Sequence, residues 1–418
     1  FQHGKAMPIQ VTAGKFIDGE QYVILPEPTT VKDKHITIEN VEFDSPRDFI
    51  LLQFVIGTLR DHGATVFISE LKLPYLNNTI GKIHQEILKE VIKRLSVQPL
   101  EEMPGEKQKL SVPKQILYIG SQKAGLAQAN GKQFGVDVLE VTTSQQDGWP
   151  TVILPELKEG TGKVMLVADS ATDEDILKVL LAVGLLKMQG IKRVSVVWPY
   201  IRYSRQHHPE VGKQWIGGNS FKTILDVLNG FSEPDGSFLV EAVYGANIHA
   251  IKYDDETGEQ KPVERYIEGY KGQIEIIDIN VLPEIALDFV KNFNLIDKKI
   301  FVMATDKGSN HYAKQVVDYL KALGVRAEFV YAKKIRLRET EVTFEKLFRL
   351  KNGKEMELNP QELEGADVLI VDDELRTGGT LRTLSTILVE ELKVGRVFVG
   401  FTHGIFSYGY EKSKEMFR

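Results

Sequence analysis

Apolar positions along this chain keep two rhythms, short runs with period two and longer stretches with helical spacing, for most of its length. Ile176, Leu177, Val179, Leu180, Val183, Leu185 and Leu186 predict one largely apolar helix. Thr172-Asp173-Glu174-Asp175 supplies its N-terminal signal and Gly190 closes it. Residues 192–199 then alternate into a strand. Upstream, residues 49–62 read as a helix closed by Gly63, followed by a strand over 64–73 and a helix over 80–95. The polar, proline-bearing stretch 98–114 reads as a linker. A new strand opens over 115–120, and from there strands and helices alternate to the end. Such alternation predicts α/β architecture, tandem doubly wound domains with parallel sheets. With a second boundary inside 270–283, the expected division is 1–112, 113–275 and 276–418. The last domain carries expected strands at 300–304, 326–331, 368–371 and 396–402.

The first domain reads as a partial duplicate of the second. Val-Ile-Leu-Pro-Glu occurs at Val23 and again at Val152, 129 positions later. Asp44-Ser45 matches Asp169-Ser170, Gly57 and Gly63 match Gly184 and Gly190, and Pro74-Tyr75 matches Pro199-Tyr200. An offset that drifts by only a few residues means one duplicated unit with small loop changes.

Composition narrows the class. Hydrophobic residues make up 42% of the 418 and charged residues 26%, the proportions of an ordinary globular protein. The net charge of −6, with no basic run, argues against a nucleic-acid surface. Zero cysteines exclude disulfides and thiolate metal sites. No apolar run approaches the ~20 residues of a membrane span and no signal peptide is visible, so a cytoplasmic protein without membrane contact is expected. Phe1-Gln2-His3-Gly4 reads as a processing scar outside the fold.

The chemistry is most explicit at Asp372-Asp373-Glu374-Leu375-Arg376-Thr377-Gly378-Gly379-Thr380, which follows the apolar strand 368–371 and precedes a helical stretch, 381–392. A helix N-terminus and the turn's N–H groups suit a phosphate, with Thr377 and Thr380 adding hydroxyls. Gly378 and Gly379 allow close backbone approach. Asp372 and Asp373, as acceptor-only carboxylates, suit the hydroxyls of a ribose. The bland reading is a βα turn with acids placed for the helix dipole. This ordered string resembles the ribose-phosphate loop shared by phosphoribosyltransferases and phosphoribosyl pyrophosphate synthetases.

From residue 115 onward the chain resembles the phosphoribosyl pyrophosphate synthetase (ribose-phosphate pyrophosphokinase) family. Six further segments carry the likeness in order: Tyr118-Ile119-Gly120-Ser121, Pro199-Tyr200-Ile201-Arg202-Tyr203-Ser204-Arg205-Gln206, Asn247-Ile248-His249-Ala250, Thr305-Asp306-Lys307-Gly308, Lys334-Ile335-Arg336, and Thr402-His403-Gly404-Ile405-Phe406-Ser407. The resemblance implies transfer of the β,γ-pyrophosphoryl group of ATP to the anomeric hydroxyl of ribose 5-phosphate or a derivative. It implies Lys334 and Arg336 as catalytic cations, which without it would read as a solvated basic turn. Arg205, Gln206 and His249 become ATP contacts, and Phe16, Asp18 and Glu20 join them through a Phe-x-Asp-Gly-Glu hairpin. Mg²⁺ is implied near His249 and Asp306, and a homo-oligomer as the assembly.

Departures from the family pattern are informative. Asn247 and His207 stand where the family has aspartates, and Arg376 stands where it has an aspartate or small polar residue. An arginine there adds positive charge beside the acceptor phosphate and suits a larger anionic acceptor such as ADP-ribose. The chain also ends soon after Ser407, where the family continues, implying truncation or a differently covered sheet edge. Two other readings stand beside the pyrophosphokinase: a phosphoribosyltransferase, and a silent regulatory homologue of a synthetase. The two copies show complementary losses. The first keeps the whole hairpin motif but has Leu76-Asn77 after its Pro-Tyr; the second keeps Arg205-Gln206 but has Gln145-Gln146-Asp147-Gly148-Trp149.

Overall fold

Val368, Leu369, Ile370 and Val371 are all buried, as an uninterrupted apolar run demands when both faces of its strand are covered. The computed structural model in which they sit describes residues 11–15, 20–26, 31–39, 41–43, 45–68, 71–72, 82–89, 113–120, 123–146, 148–204, 206, 215–217, 220–233, 235–244, 276–278, 280–305, 309–338, 341–351 and 354–415. These fall into two compact units, one ending at Asp278 and the other following it. Among the described residues no helix is long and apolar enough to cross a membrane.

The first unit begins with strands β1 (Thr12–Lys15), β2 (Gln21–Pro26), β3 (His35–Ile38) and β4 (Val41–Glu42), then helix α1 (Pro46–Asp61). Strands β5 (Thr65–Ile68) and β6 (Leu71–Lys72) follow, then helix α2 over residues 82–89. The second copy contains β7 (Gln115–Tyr118), α3 (Ala124–Phe134), β8 (Asp137–Glu140), β9 (Thr142–Gln146), β10 (Trp149–Ile153) and β11 (Lys163–Val167). It continues through α4 (Asp173–Met188), β12 (Arg193–Trp198), β13 (Trp215–Gly217), α5 (Ser220–Asn229), β14 (Leu239–Tyr244) and β15 (Ile276–Asp278). Its main sheet has the order β15-β14-β12-β11-β7-β8, and every pairing in it is parallel.

The two stretches that the sequence repeat pairs contain comparable elements. Helices α1 and α4 are each 16 residues long. β3 pairs with β5 in parallel, His35 opposite Thr65, and β11 pairs with β12, Lys163 opposite Arg193. Each long helix is preceded by an antiparallel hairpin, β1–β2 or β9–β10. The copies pack crosswise: α1 lies against α4 and α5. A Cβ at Gly57 of α1 would sit 2.2 Å from Thr223 Oγ1 of α5, and one at Gly184 of α4 would sit 2.7 Å from Ile87 of α2. The equivalent glycine of each copy therefore admits the following helix of the other. Across the same contact, Lys222 of α5 reaches Asp61 of α1 at 2.7 Å and Asp226 at 2.8 Å.

The second unit runs α6 (Leu282–Asn292), β16 (Lys299–Ala304), α7 (Asn310–Ala322), β17 (Arg326–Arg338), β18 (Glu341–Lys351) and β19 (Lys354–Leu358). β20 (Asp367–Leu375), α8 (Gly379–Glu390), β21 (Arg396–Gly404) and α9 (Tyr410–Glu415) complete it. Sheet order is β19-β18-β17-β16-β20-β21. Strand–helix alternation implies parallel pairing to the end of the chain, but β17–β18 and β18–β19 are antiparallel. Strand β17 overruns its expected end at 331, and two strands follow before β20 without a helix. Leu369 and Val371 of β20 pack with α6 and α7, while Val368 and Ile370 pack with Leu381, Leu384 and Leu388 of α8.

His84 of α2 is fully buried, with Nε2 3.3 Å from the carbonyl of Val152 in β10. Burial lowers its pKa, against the opposing effect of that carbonyl. The unfolded chain therefore takes up this proton first. The stability contribution is full above the ordinary pKa of 6.5 and is lost as pH falls toward the folded value. Melting followed between pH 7.5 and 5 should show this loss, and His84→Phe should flatten that part of the profile.

Candidate sugar-phosphate and nucleotide site

Strand order in the second unit reverses between the parallel neighbours β16 and β20, the position where open α/β sheets bind ligands at the carboxyl ends of their strands. Two stretches meet there: Thr305, which follows β16, and the end of β20 from Asp372 to Leu375, which pairs with β21 beyond the expected end at 371 and leads into the turn at Arg376 to Thr380. Asp372 joins them. Its Oδ1 accepts from Ser309 Oγ at 2.8 Å, and its Oδ2 accepts from the hydroxyl of Thr305. Asp306 lies outside the described residues, between these two anchors in the sequence. Ser309 was not among the residues singled out from the sequence, although it adjoins Thr305-Asp306-Lys307-Gly308 and carries a hydroxyl.

Asp373 is 6% exposed and its Oδ1 accepts from Glu374 N at 2.8 Å. The loop is held from behind by the end of β21 and the segment after it. Thr402 Oγ1 donates to Asp373 O at 2.6 Å, Ile405 N to Leu375 O at 2.9 Å, and Ser407 N to Arg376 O at 3.0 Å. The turn itself is built for an anion. Gly378 has φ +75°, a conformation that penalises a Cβ, and Gly379 opens α8 without a side-chain cap. Thr377 is half-buried, and Thr380 is exposed in the helix's first turn. Arg376, read as a phosphate ligand, is half-buried with Nε 2.9 Å from Oε2 of Glu374, whose side chain is wholly buried. Glu374 therefore offsets much of the charge that Arg376 brings to the turn. An i, i+2 pair of opposite charge was visible in the sequence; the burial of the acid was not.

Lys334 and Arg336 both lie on β17, which continues without a break through Arg338 and pairs there with β18, Arg336 opposite Thr343. His249, Asp306, Phe16, Asp18 and Arg205 lie outside the described residues. Magnesium takes hard oxygen ligands and keeps several waters. Among the described residues no three His, Cys, Asp or Glu side chains form a metal cluster.

In the first unit the hairpin of the first copy meets the turn that follows β12. Glu20 is 3% exposed; its Oε1 accepts from Tyr203 N at 2.8 Å and its Oε2 from Gln206 Nε2 at 3.2 Å. Gln206 Nε2 also donates to Gln21 O at 3.0 Å, and its Oε1 accepts from Ser220 Oγ at 2.7 Å. The polar groups of Glu20 and Gln206, expected from the sequence to contact ATP, are thus directed at the protein. Strand β13 of the second copy extends the same hairpin, with Ile216 opposite Leu25. At the centre of the turn stands Tyr203, fully buried with φ +70°. A non-glycine residue in this region is strained by about 1–3 kcal/mol. Its hydroxyl donates to Asp173 Oδ1 at 2.6 Å; burial, and next the charge of Asp173, push the phenol well above its usual range.

This geometry defines a class before it defines a reaction: residues 282–399 match the family described as phosphoribosyl transferase domain. Relatives of known designation narrow it. The chain is 28% identical over 241 residues to the ribose-phosphate pyrophosphokinase of Pyrococcus furiosus, a match covering 57% of this chain and 68% of that protein. It is 26% identical over 270 residues to the ribose-phosphate pyrophosphokinase of Sulfurisphaera tokodaii, covering 64% and 77%. Its fold is similar to the crystal structure of phosphoribosylpyrophosphate synthetase from Mycobacterium smegmatis, with TM-score 0.50 and 18% identity, covering 73% of this chain and 85% of that one. The chain is related to the ribose-phosphate pyrophosphokinases, as its motifs imply.

Removing Arg376 takes away the cation paired with a buried acid, and Arg376→Ala should cost about 2 kcal/mol in the second unit. Glu374→Leu combined with Arg376→Ser should recover most of that loss. Denaturant melts of the two variants check this, and equal stability of Arg376→Ala and wild type would contradict it.

Proposed function

We propose that the chain is an ATP-dependent pyrophosphokinase that transfers the β,γ-pyrophosphoryl group of ATP to the anomeric hydroxyl of ribose 5-phosphate or a derivative. The products are phosphoribosyl pyrophosphate and AMP. The observation that carries this is Asp372, whose carboxylate ties the sugar-phosphate loop to Thr305 and Ser309. Similarity to proteins designated ribose-phosphate pyrophosphokinase supports the same reaction.

In this reading the N–H groups of the 377–380 turn and the start of α8 hold the 5-phosphate. Asp372 and Asp373 orient the ribose. Magnesium enters as the MgATP complex, with Asp306 and His249 nearby. Phosphoryl chemistry of this kind needs positioning and charge neutralisation more than covalent help. Lys334 and Arg336 supply the neutralising charge: arginine offers a rigid fork, lysine a point charge. Arg205 supplies the nucleotide contact for the second copy, with Phe16 and Asp18 of the first copy completing it. Binding of both substrates in the cytoplasm, and three functional segments divided at 112 and 275, belong to the same proposal.

Incubated with ATP, Mg²⁺ and ribose 5-phosphate, the protein should release AMP, and omission of the sugar phosphate should abolish release. Lys334→Ala or Arg336→Ala should lower turnover roughly 100-fold with ATP binding largely kept, the usual effect of removing a transition-state cation. Formation of ADP instead of AMP would contradict pyrophosphoryl transfer.

Arg376 bears on the acceptor. The Glu374–Arg376 pair places a fork-shaped cation beside the phosphate turn, so ADP-ribose should compete with ribose 5-phosphate. The double variant Glu374→Leu/Arg376→Ser should lose that competition while still using ribose 5-phosphate. An unchanged ranking of the two acceptors would remove Arg376 from acceptor choice.

A further inference from the structure

Asp372 stands at the carboxyl end of the sheet where the strand order reverses, and its carboxylate is largely taken up by the protein. Oδ1 accepts from Ser309 Oγ at 2.8 Å and from Asp373 N at 3.0 Å, and Oδ2 accepts from the hydroxyl of Thr305. An ionised carboxylate offers about four acceptor positions, two on each oxygen. Oδ1 is therefore filled, and one position remains on Oδ2. Thr305 is 3% exposed and Ser309 4%, whereas Asp372 is half-buried. The two hydroxyls thus come from the protein side, and of the three side chains only Asp372 keeps appreciable contact with solvent.

A plain tie between two segments needs no charge. Thr402 makes one on the carbonyl of Asp373, one residue along the same strand. Desolvating a carboxylate for that task alone is costly, and this one sits half-open at the end of the sheet where ligands bind. Its two hydroxyl donors approach different oxygens, so the carboxylate cannot rotate without giving up a bond. We propose that Ser309 and Thr305 are positioning residues that hold Asp372 to a single hydroxyl of the acceptor sugar, taken by Oδ2. The proposal rests on the sugar-phosphate reading above and narrows it. A carboxylate with both oxygens open would bridge the two neighbouring hydroxyls of a ribose. This one has room for one, and the other hydroxyl is left to a different group.

The test pairs changes in the protein with changes in the sugar. Calorimetry on the full-length protein gives dissociation constants for ribose 5-phosphate and for its 2-deoxy and 3-deoxy analogues, with Mg²⁺ and the unreactive α,β-methylene analogue of ATP present. Loss of either hydroxyl should weaken binding to the wild-type protein about 10-fold, the scale of one hydrogen bond to a charged group. Asp372→Ala should bind ribose 5-phosphate and one deoxy analogue equally, because the hydroxyl that distinguishes them has lost its partner. It should still bind the other analogue about 10-fold more weakly. Ser309→Ala leaves the acid in place and removes one of its donors. It should weaken ribose 5-phosphate about 3-fold and the analogue lacking the Asp372-bound hydroxyl less than about 2-fold, with no further loss when added to Asp372→Ala. This variant keeps the test open if Asp372→Ala does not fold. Loss of discrimination against both analogues in Asp372→Ala marks a bridging carboxylate and overturns the proposal. Discrimination unchanged against both removes Asp372 from the sugar and overturns it too, as does a wild-type protein that binds the three sugars alike. So does a folded Ser309→Ala variant that binds all three sugars like wild type or weakens all three equally, which marks a plain structural tie. Failure of the wild-type protein to bind ribose 5-phosphate overturns the sugar-phosphate reading itself, and this proposal with it.

Discussion

Parallel pairing of β20 with β16 is the constraint on which the second unit depends. A parallel neighbour places two carboxyl ends side by side, and the chain's reversal at that junction leaves a crevice between the loops that follow. β20 can occupy this place because every residue from Val368 to Val371 is apolar, with α6 and α7 on one face and α8 on the other. The pairing puts Thr305, just past the end of β16, within reach of Asp372 in the last part of β20, and a carboxylate with two hydroxyl donors ties that strand to the segment after β16. β21 then holds the outer side through Thr402 and the backbone of Ile405 and Ser407. The segment from Asp372 to Thr380 is therefore shaped by its neighbours.

The first unit answers a different problem. Among the described residues its N-terminal copy contributes the two-stranded pairings β3–β5 and β4–β6 and the hairpin β1–β2, which needs β13 of the second copy to become three-stranded, and a two-stranded sheet is marginal by itself. Helix α1 buries Phe49, Ile50, Phe54, Ile56 and Leu59, far more apolar surface than those strands can cover. The surplus is covered by α4 and α5 of the second copy. Gly57 and Gly184 make the approach possible from both sides, so the paired motif found in sequence is also the reason the copies fit.

Much of this was legible from residue order, for physical reasons. Caps and periodicity located α4, whose Thr172–Asp175 capping box is present as Thr172-Asp173-Glu174-Asp175 foretold. The uninterrupted apolar run located β20, and an offset that drifts by only a few residues paired α1 with α4. The antiparallel pair β18 and β19 carried its own sign, Asn352-Gly353 between Phe348-Arg349-Leu350-Lys351 and Lys354-Glu355-Met356-Glu357-Leu358, and the expectation of strand–helix alternation passed over it. The roles of Glu20 and Gln206 were half legible. The motif marked them, but whether a carboxylate faces a ligand or a backbone N–H is decided by the partner segment, and that partner lies more than 180 positions away. Tyr203 gave no sign at all: left-handed backbone at an aromatic residue is imposed from outside by Glu20, Gln21 and Phe54.

The crossed packing of the two copies has a consequence for inheritance. In a symmetric pair of identical chains, every change at the contact appears twice, and an improvement on one side is tied to damage on the other. Here the equivalent glycines already meet different partners, Thr223 for Gly57 and Ile87 for Gly184. Once both halves are encoded in tandem, each side of the contact is a separate target for mutation. One side is free to drift toward better filling while the other keeps polar chemistry, and dilution cannot part them.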